Sequence, residues 1–341
     1  MENLLVNKVG AVKEVRQAAE YQKKKQACIL TGLAGSSKPV FFAAADKLLG
    51  GKGSMAFITA SREEIRTYRR ELNYLYPDLP MQELYPVSLP RVQADTQSLE
   101  LQAGRAAALR FLSGEERGIV FITAEALQQK QLRPSGMSGK ALQLAVGEEH
   151  EQRNIVAALL DLGYERTEQV DALGQFCLRG DILDVYPINS SAAVRIEWFD
   201  NELDAMRSFD VDTQRSLQTL TSIKIAPLKV DESFSYDADI FEYCAADTMV
   251  VVDEPVHVFG MLEKLDKENK EHASELFGKQ ELIEQLAANG AVLVSALGHS
   301  YLQQLPSLNI PVRAVAPYNK NTNLLVEDLQ NWLAEGITPL I

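Results

Sequence analysis

An α/β fold built on a mostly parallel sheet, with an inserted α+β domain carrying an antiparallel sheet, is what the sequence predicts. Three observations predict it. Short apolar runs alternate with amphipathic stretches through the first third of the chain, the pattern of βα units. Period-two runs replace that alternation between Gln175 and Phe209. The βα pattern then returns from about Asp231. With 341 residues the chain accommodates two or three compact units. The expected division is 1–138, 139–230 and 231–341, with the first and last segments completing one sheet around the insertion.

Taken in order, the first unit should open with a strand at 27–31 and a helix over 39–49. A strand at 55–59 and a helix over 62–76 follow, with Ser61 and Glu64 at capping-box spacing. A helix over 99–112 and a strand at 118–123 complete it. The Pro-bearing stretch 84–91, LYPVSLPR, reads as a connecting loop, and 132–140, LRPSGMSGK, as a linker. A helix over 149–162, ended by Gly163, introduces the insertion, whose strands are expected at 175–179, 182–186, 194–199 and 203–209. The last unit should hold strands at 249–252 and 292–296 and helices over 279–288 and 324–334. A terminal strand at 337–341 that stops without a turn implies a natural chain continuing beyond it.

Composition narrows the function classes. Hydrophobic residues at 46% and charged residues at 24% are ordinary for a packed globular protein. Lys and Arg number 34 against 47 Asp and Glu, a formal charge of -13, which argues against a broad nucleic-acid-binding surface. Cys28, Cys177 and Cys244 lie far apart, without disulfide or zinc spacing, and the histidines His150, His257, His272 and His299 show no metal-ligand spacing. A reducing, cytoplasmic location is expected. The start MENLLVNKVG lacks signal-peptide character, and no apolar run approaches the roughly 18 residues of a membrane span.

Two stretches resemble nucleotide-binding motifs that have lost their chemistry. In Thr31 to Ala43, TGLAGSSKPVFFA, Gly32 and Lys38 stand at P-loop spacing, but Ser37 replaces the second glycine and Pro39 the Mg²⁺-binding hydroxyl. Pro39 also removes a backbone donor. In Met249 to Glu254, MVVVDE, an apolar strand ends in Asp253 and Glu254, the carboxylate pair that holds Mg²⁺ in a working ATPase. Pro255 follows at once, and Val256 and His257 depart from the helicase pattern. Read together, they imply a motor fold without a motor, so no nucleotide, metal or other cofactor is expected.

A third stretch points to binding. In VRIEWF, 194–199, alternation places Val194, Ile196 and Trp198 on one face and Arg195, Glu197 and Phe199 on the other. In 175–179, Phe176 and Leu178 share a face while Cys177 and Arg179 take the opposite one. In one sheet, Arg179, Arg195 and Phe199 would form a single patch of the residue types that carry interface energy. The alternative is pairing within the domain, with the arginines bridging to Asp181, Asp184 or Glu197.

GQFCLRGDILDVYP at 174–187 and VRIEWFDNELDAMRSFDVDTQRS at 194–216, together with the P-loop-like turn, resemble the N-terminal UvrB-like module of the bacterial transcription-repair coupling factors. The resemblance covers nearly the whole chain. It implies a degenerate helicase-like sheet and a middle domain that recruits the excision-repair protein UvrA by mimicking UvrB, without catalysis. The family's docking residues fall on Arg179, Arg195 and Phe199; a further UvrB arginine falls on Cys177, leaving that contact in doubt. It also implies that a C-terminal domain masks the docking face in the full-length factor, and that RNA polymerase and DNA are engaged through regions beyond this chain. Two rival readings remain: an active P-loop ATPase or helicase fragment using Lys38, Asp253 and Glu254, and a DNA-binding repair module. No Tyr-rich hairpin insert supports the latter, and the charge disfavours it.

Overall fold

The computed structural model describes residues 4–89, 99–134, 141–228, 236–296, 304–312, 318 and 321–337. Its larger sheet has seven strands, ordered Ser307–Asn309, Cys28–Thr31, Val292–Ser295, Met249–Asp253, Met55–Thr59, Ile119–Thr123 and Met81–Leu84. Every pairing in it is parallel. Strands buried on both faces read as unbroken apolar runs because helices cover each side. Phe57, Phe121 and Val251 face Phe41, Phe42, Ile65 and Leu72 of helices Ser37–Leu48 and Arg62–Leu75. Ile58, Ile122 and Val250 face Phe111, Leu112, Phe259 and Leu282 of helices Leu99–Ser113, Pro255–Glu268 and Lys279–Ala288. One residue of alternation therefore separates two cores on a single sheet.

The second sheet has six strands, ordered Ser216–Thr219, Glu202–Phe209, Ala193–Phe199, Ile182–Val185, Gln175–Arg179 and Glu165–Arg166. Phe176, Leu183, Val194, Ile196, Trp198 and Met206 line its inner face against Ile155 and Leu159 of helix Gln152–Asp161. The Trp198 indole, buried there, donates to the His150 carbonyl at 2.9 Å. The core face expected for 194–198 is thus the observed one.

Several elements differ from expectation. The second sheet is mixed, because Glu165–Arg166 runs parallel to Gln175–Phe176: residues 167–174 carry the chain back to its starting level instead of reversing it. The helix expected from 149 starts at Gln152, since Glu149 bridges Glu202 and the His150 N–H donates to the Asn201 carbonyl at 2.8 Å, committing that backbone to the sheet. The helix expected from 39 starts at Ser37, which places Pro39 in its first turn, where proline costs no hydrogen bond. Helices Leu4–Gly10, Lys13–Lys23 and Pro255–Glu268 and strands Met81–Leu84 and Ser307–Asn309 are additional. The expected loop end at 90–91, most of the 132–140 linker, the return at Asp231 and residues 338–341 of the terminal strand lie outside the described residues. Among the described residues, no helix is long and apolar enough to cross a membrane.

Gly53, just before Met55–Thr59, shows how closely the sheet entry is packed: a Cβ there would lie 2.1 Å from the Asp247 carbonyl oxygen. Gly53→Ala is expected to cost about 1–3 kcal/mol, read as a lower urea midpoint with an unchanged m value.

Candidate functional site

The P-loop-like turn leaves strand Cys28–Thr31 at Gly32, whose φ of +87° suits glycine. A Cβ on it would meet the Ile310 carbonyl oxygen at 2.7 Å, and the Val312 N–H donates to the Gly32 carbonyl at 3.1 Å. The segment after Ser307–Asn309 therefore lies against the start of the turn. Ser37 spends its hydroxyl inside the turn, accepting from the Ala34 N–H at 2.9 Å and donating to the Ala34 carbonyl at 2.8 Å. A backbone donor of the kind that wraps phosphate is thereby occupied.

Lys38 completes the closure. Its Nζ lies 2.6 Å from Asp253 Oδ1 and 2.9 Å from Glu254 Oε1, with the side chain only 12% exposed. The two carboxylates that would serve a metal instead share an internal ammonium. Burial opposes the Lys38 charge, but hydrogen bonds and charges from Asp253, then Glu254, outweigh it and raise its pKa above the ordinary lysine value. Glu254 is also fixed from its other side. It adopts the left-handed region at φ +43°, and its carboxylate accepts from the Ala296 N–H at 3.0 Å. Tyr68 packs beside this pair, and burial first, then the Asp253 carboxylate, pushes its phenol pKa up. Its hydroxyl is buried near Asp253 but makes no hydrogen bond of ordinary length to the described residues.

The second candidate lies on the outer face of the mixed sheet. Register places Cys177, Asp184, Arg195 and Arg207 in one row across four strands, with Arg179, Ile182 and Glu197 in the next row on the same face. Both arginines converge on Asp184, whose side chain is 2% exposed. Arg195 donates through Nε to Oδ1 at 2.6 Å and through Nη2 to Oδ2 at 2.8 Å, while Arg179 donates through Nη2 to the same Oδ2 at 2.8 Å. Arg195 also donates to Gln214 Oε1 at 3.1 Å and lies 4.7 Å over the Phe209 ring. Hydrogen bonding to Asp184 raises its pKa further.

The two arginines differ in access: Arg179 is 53% exposed and Arg195 17%. Phe199, at the strand end opposite Glu202, is 72% exposed, and Ile182 of the neighbouring strand is exposed on the same face. The structure thus combines both sequence readings, a satisfied internal pair and an exposed patch. Of the three acids considered, Asp184 takes the arginines; Asp181 accepts from Gln152 at 3.1 Å, and Glu197 pairs with Arg207. Cys177, on the patch face, is buried with Val170, Ala193 and Phe209, and its Sγ donates to the Glu168 carbonyl at 3.0 Å. Sequence reasoning missed the platform formed by Phe209 and Gln214, whose contact with Arg195 depends on the turn after strand Glu202–Phe209. Among the described residues, no group of His, Cys, Asp and Glu is arranged to hold a metal ion.

Residues 142–230, which contain this face, match the UvrB interaction domain family. The transcription-repair-coupling factor of Bacillus subtilis is 36% identical over 203 residues, 59% of this chain and 17% of its own length. Those of Staphylococcus haemolyticus and Escherichia coli are 32% and 28% identical over 202 and 165 residues, 59% and 48% of this chain and 17% and 14% of their lengths. The chain is therefore similar to these transcription-repair-coupling factors across about half its residues, and it spans 17% or less of their lengths.

Lys38→Met should leave two carboxylates sharing a site without their cation and cost about 3–5 kcal/mol in chemical unfolding. Tyr68→Phe removes a buried hydroxyl that makes no hydrogen bond of ordinary length to the described residues, and is expected to leave stability unchanged or raise it by about 1 kcal/mol.

Proposed function

We propose that this chain is a non-catalytic adaptor module of transcription-coupled excision repair, which recruits UvrA through its middle unit, residues 139–230, while residues 1–138 and 231–341 form the supporting helicase-like sheet. The observation that carries the proposal is the contrast between the two candidate sites. At one, Lys38 consumes Asp253 and Glu254 internally. At the other, Arg179 and Phe199 project from a segment that matches the UvrB interaction domain. Exposed arginine and aromatic side chains on a rigid sheet are suited to an anionic, partly apolar partner surface.

The energetics favour a local patch over general attraction. A chain of charge -13 is repelled at long range by an acidic partner, so Arg179 must act at contact, inside the roughly 8–10 Å over which salt screens the remainder. Desolvated there, its guanidinium gains charge-assisted hydrogen bonds, and Phe199 buries its ring. Neither side chain contributes much to the fold, because both stand largely in solvent.

Calorimetric titration with purified UvrA tests the proposal. Saturable binding is expected for the parent chain, weakened by about 2–5 kcal/mol in Arg179→Ala and by about 2 kcal/mol in Phe199→Ala. The melting temperatures of both variants should match that of the parent. Parental affinity in both variants would overturn the patch assignment. Saturable heat from Mg²⁺-ATP would instead support the rival ATPase reading.

A further inference from the structure

We infer that Asp184 is a positioning residue of the docking face: a carboxylate that touches no partner but decides where the contacting guanidinium stands. The inference rests on the UvrA-docking reading and assigns a role inside it to a residue buried beneath the patch.

The geometry separates the parts. Arg195 is fixed from three directions, by both oxygens of Asp184, by Gln214 Oε1 and by the Phe209 ring beneath it. Gln214 is itself held, with its amide donating to the Val211 carbonyl at 2.8 Å and its backbone in the left-handed region at φ +59°. Arg179 has a single anchor among the described residues, Nη2 on Asp184 Oδ2, the oxygen that also receives Arg195 Nη2. Of its five N–H donors, those on Nε and Nη1 make no hydrogen bond to the described residues.

Two guanidinium groups sharing one oxygen would repel each other without the carboxylate between them. Asp184, in register with Arg195 and one strand from Arg179, supplies the compensating charge and leaves the cluster of these three side chains with one net positive charge. The rigid pair of Asp184 and Arg195 thus acts as a bracket. It holds Arg179 beside Ile182, the residue that separates it from the strand of Phe199, so less rotamer freedom is lost on docking. Substituting asparagine keeps the shape but removes the charge and turns an N–H donor toward a guanidinium donor. Whichever way the amide turns, one acceptor and the negative charge are lost, so the two guanidinium groups face each other across a neutral group and Arg179 loses its fixed position.

A double-mutant cycle on UvrA affinity, with melting temperatures for every variant, tests the inference. Asp184→Asn is expected to weaken binding at least about tenfold. Arg179→Ala, costly in the parent, should then cost less than about threefold in the Asp184→Asn background, because the misplaced guanidinium has already lost its contact. Additive losses would show that Asp184 acts only through stability and would overturn the positioning role while leaving docking intact. If Asp184→Asn does not fold, Arg195→Met, which keeps an apolar stem over Phe209, replaces it in the cycle, and additivity there is equally fatal. Absence of UvrA binding by the parent chain overturns the docking reading and the positioning role together.

Discussion

A charge withdrawn from water must be paired where it lies, and this constraint shapes both faces of the molecule that bear on function. Asp253 and Glu254 at the end of a buried strand meet the Lys38 ammonium. Asp184 on the outer face of the mixed sheet meets two guanidinium groups. Asp46, buried in the layer of helices, meets Arg117 Nη2 at 2.7 Å and the Tyr76 hydroxyl at 2.8 Å. An unpaired buried charge costs several kcal/mol, so each cluster is conditional on its cations. The functional difference lies in how much cation remains. At the degenerate P-loop one ammonium serves two carboxylates; at Asp184 two guanidiniums serve one carboxylate, and the surplus charge faces solvent.

The same inequality fits the binding role proposed for a chain whose larger sheet is arranged like that of a nucleotide-driven motor. Its parallel strands deliver Gly32, Lys38, Asp253 and Glu254 to the C-terminal end of the sheet. What has changed is local: Ser37 closes the turn on Ala34, residues 310–312 lie against Gly32, and Lys38 occupies the cation position. These contacts tie the turn after one strand to the end of another, which in a working site is a task of nucleotide and metal.

Much of this was legible in the residues. Apolar runs bounded by turn residues located the buried strands, since burial on both faces demands continuous hydrophobicity. The edge strand Met81–Leu84 escaped because Gln82 and Glu83 break the pattern, Glu83 being held by Arg62. Helix Pro255–Glu268 escaped because Pro255 reads as a terminator, whereas it occupies the first helical position, where its missing N–H costs nothing. Alternation along 194–199 separated Trp198 from Arg195 and Phe199 correctly, but it could not choose among Asp181, Asp184 and Glu197. Strand register makes that choice, by setting Asp184 opposite both Cys177 and Arg195. Nor does any local pattern bring Lys38 to Asp253, a contact between residues 215 positions apart that exists only once the sheet is assembled.

The account's central claim is that one face of the mixed sheet is live while the P-loop remnant is silent. Hydrogen–deuterium exchange of the chain alone, with UvrA, and separately with Mg²⁺-ATP tests it most directly. The predicted result is slowed exchange with UvrA across residues 175–185 and 193–202, and no change with Mg²⁺-ATP across residues 31–39 or 249–256. Nucleotide-dependent protection of the turn around Gly32, or UvrA-dependent protection that bypasses the mixed sheet, would contradict it.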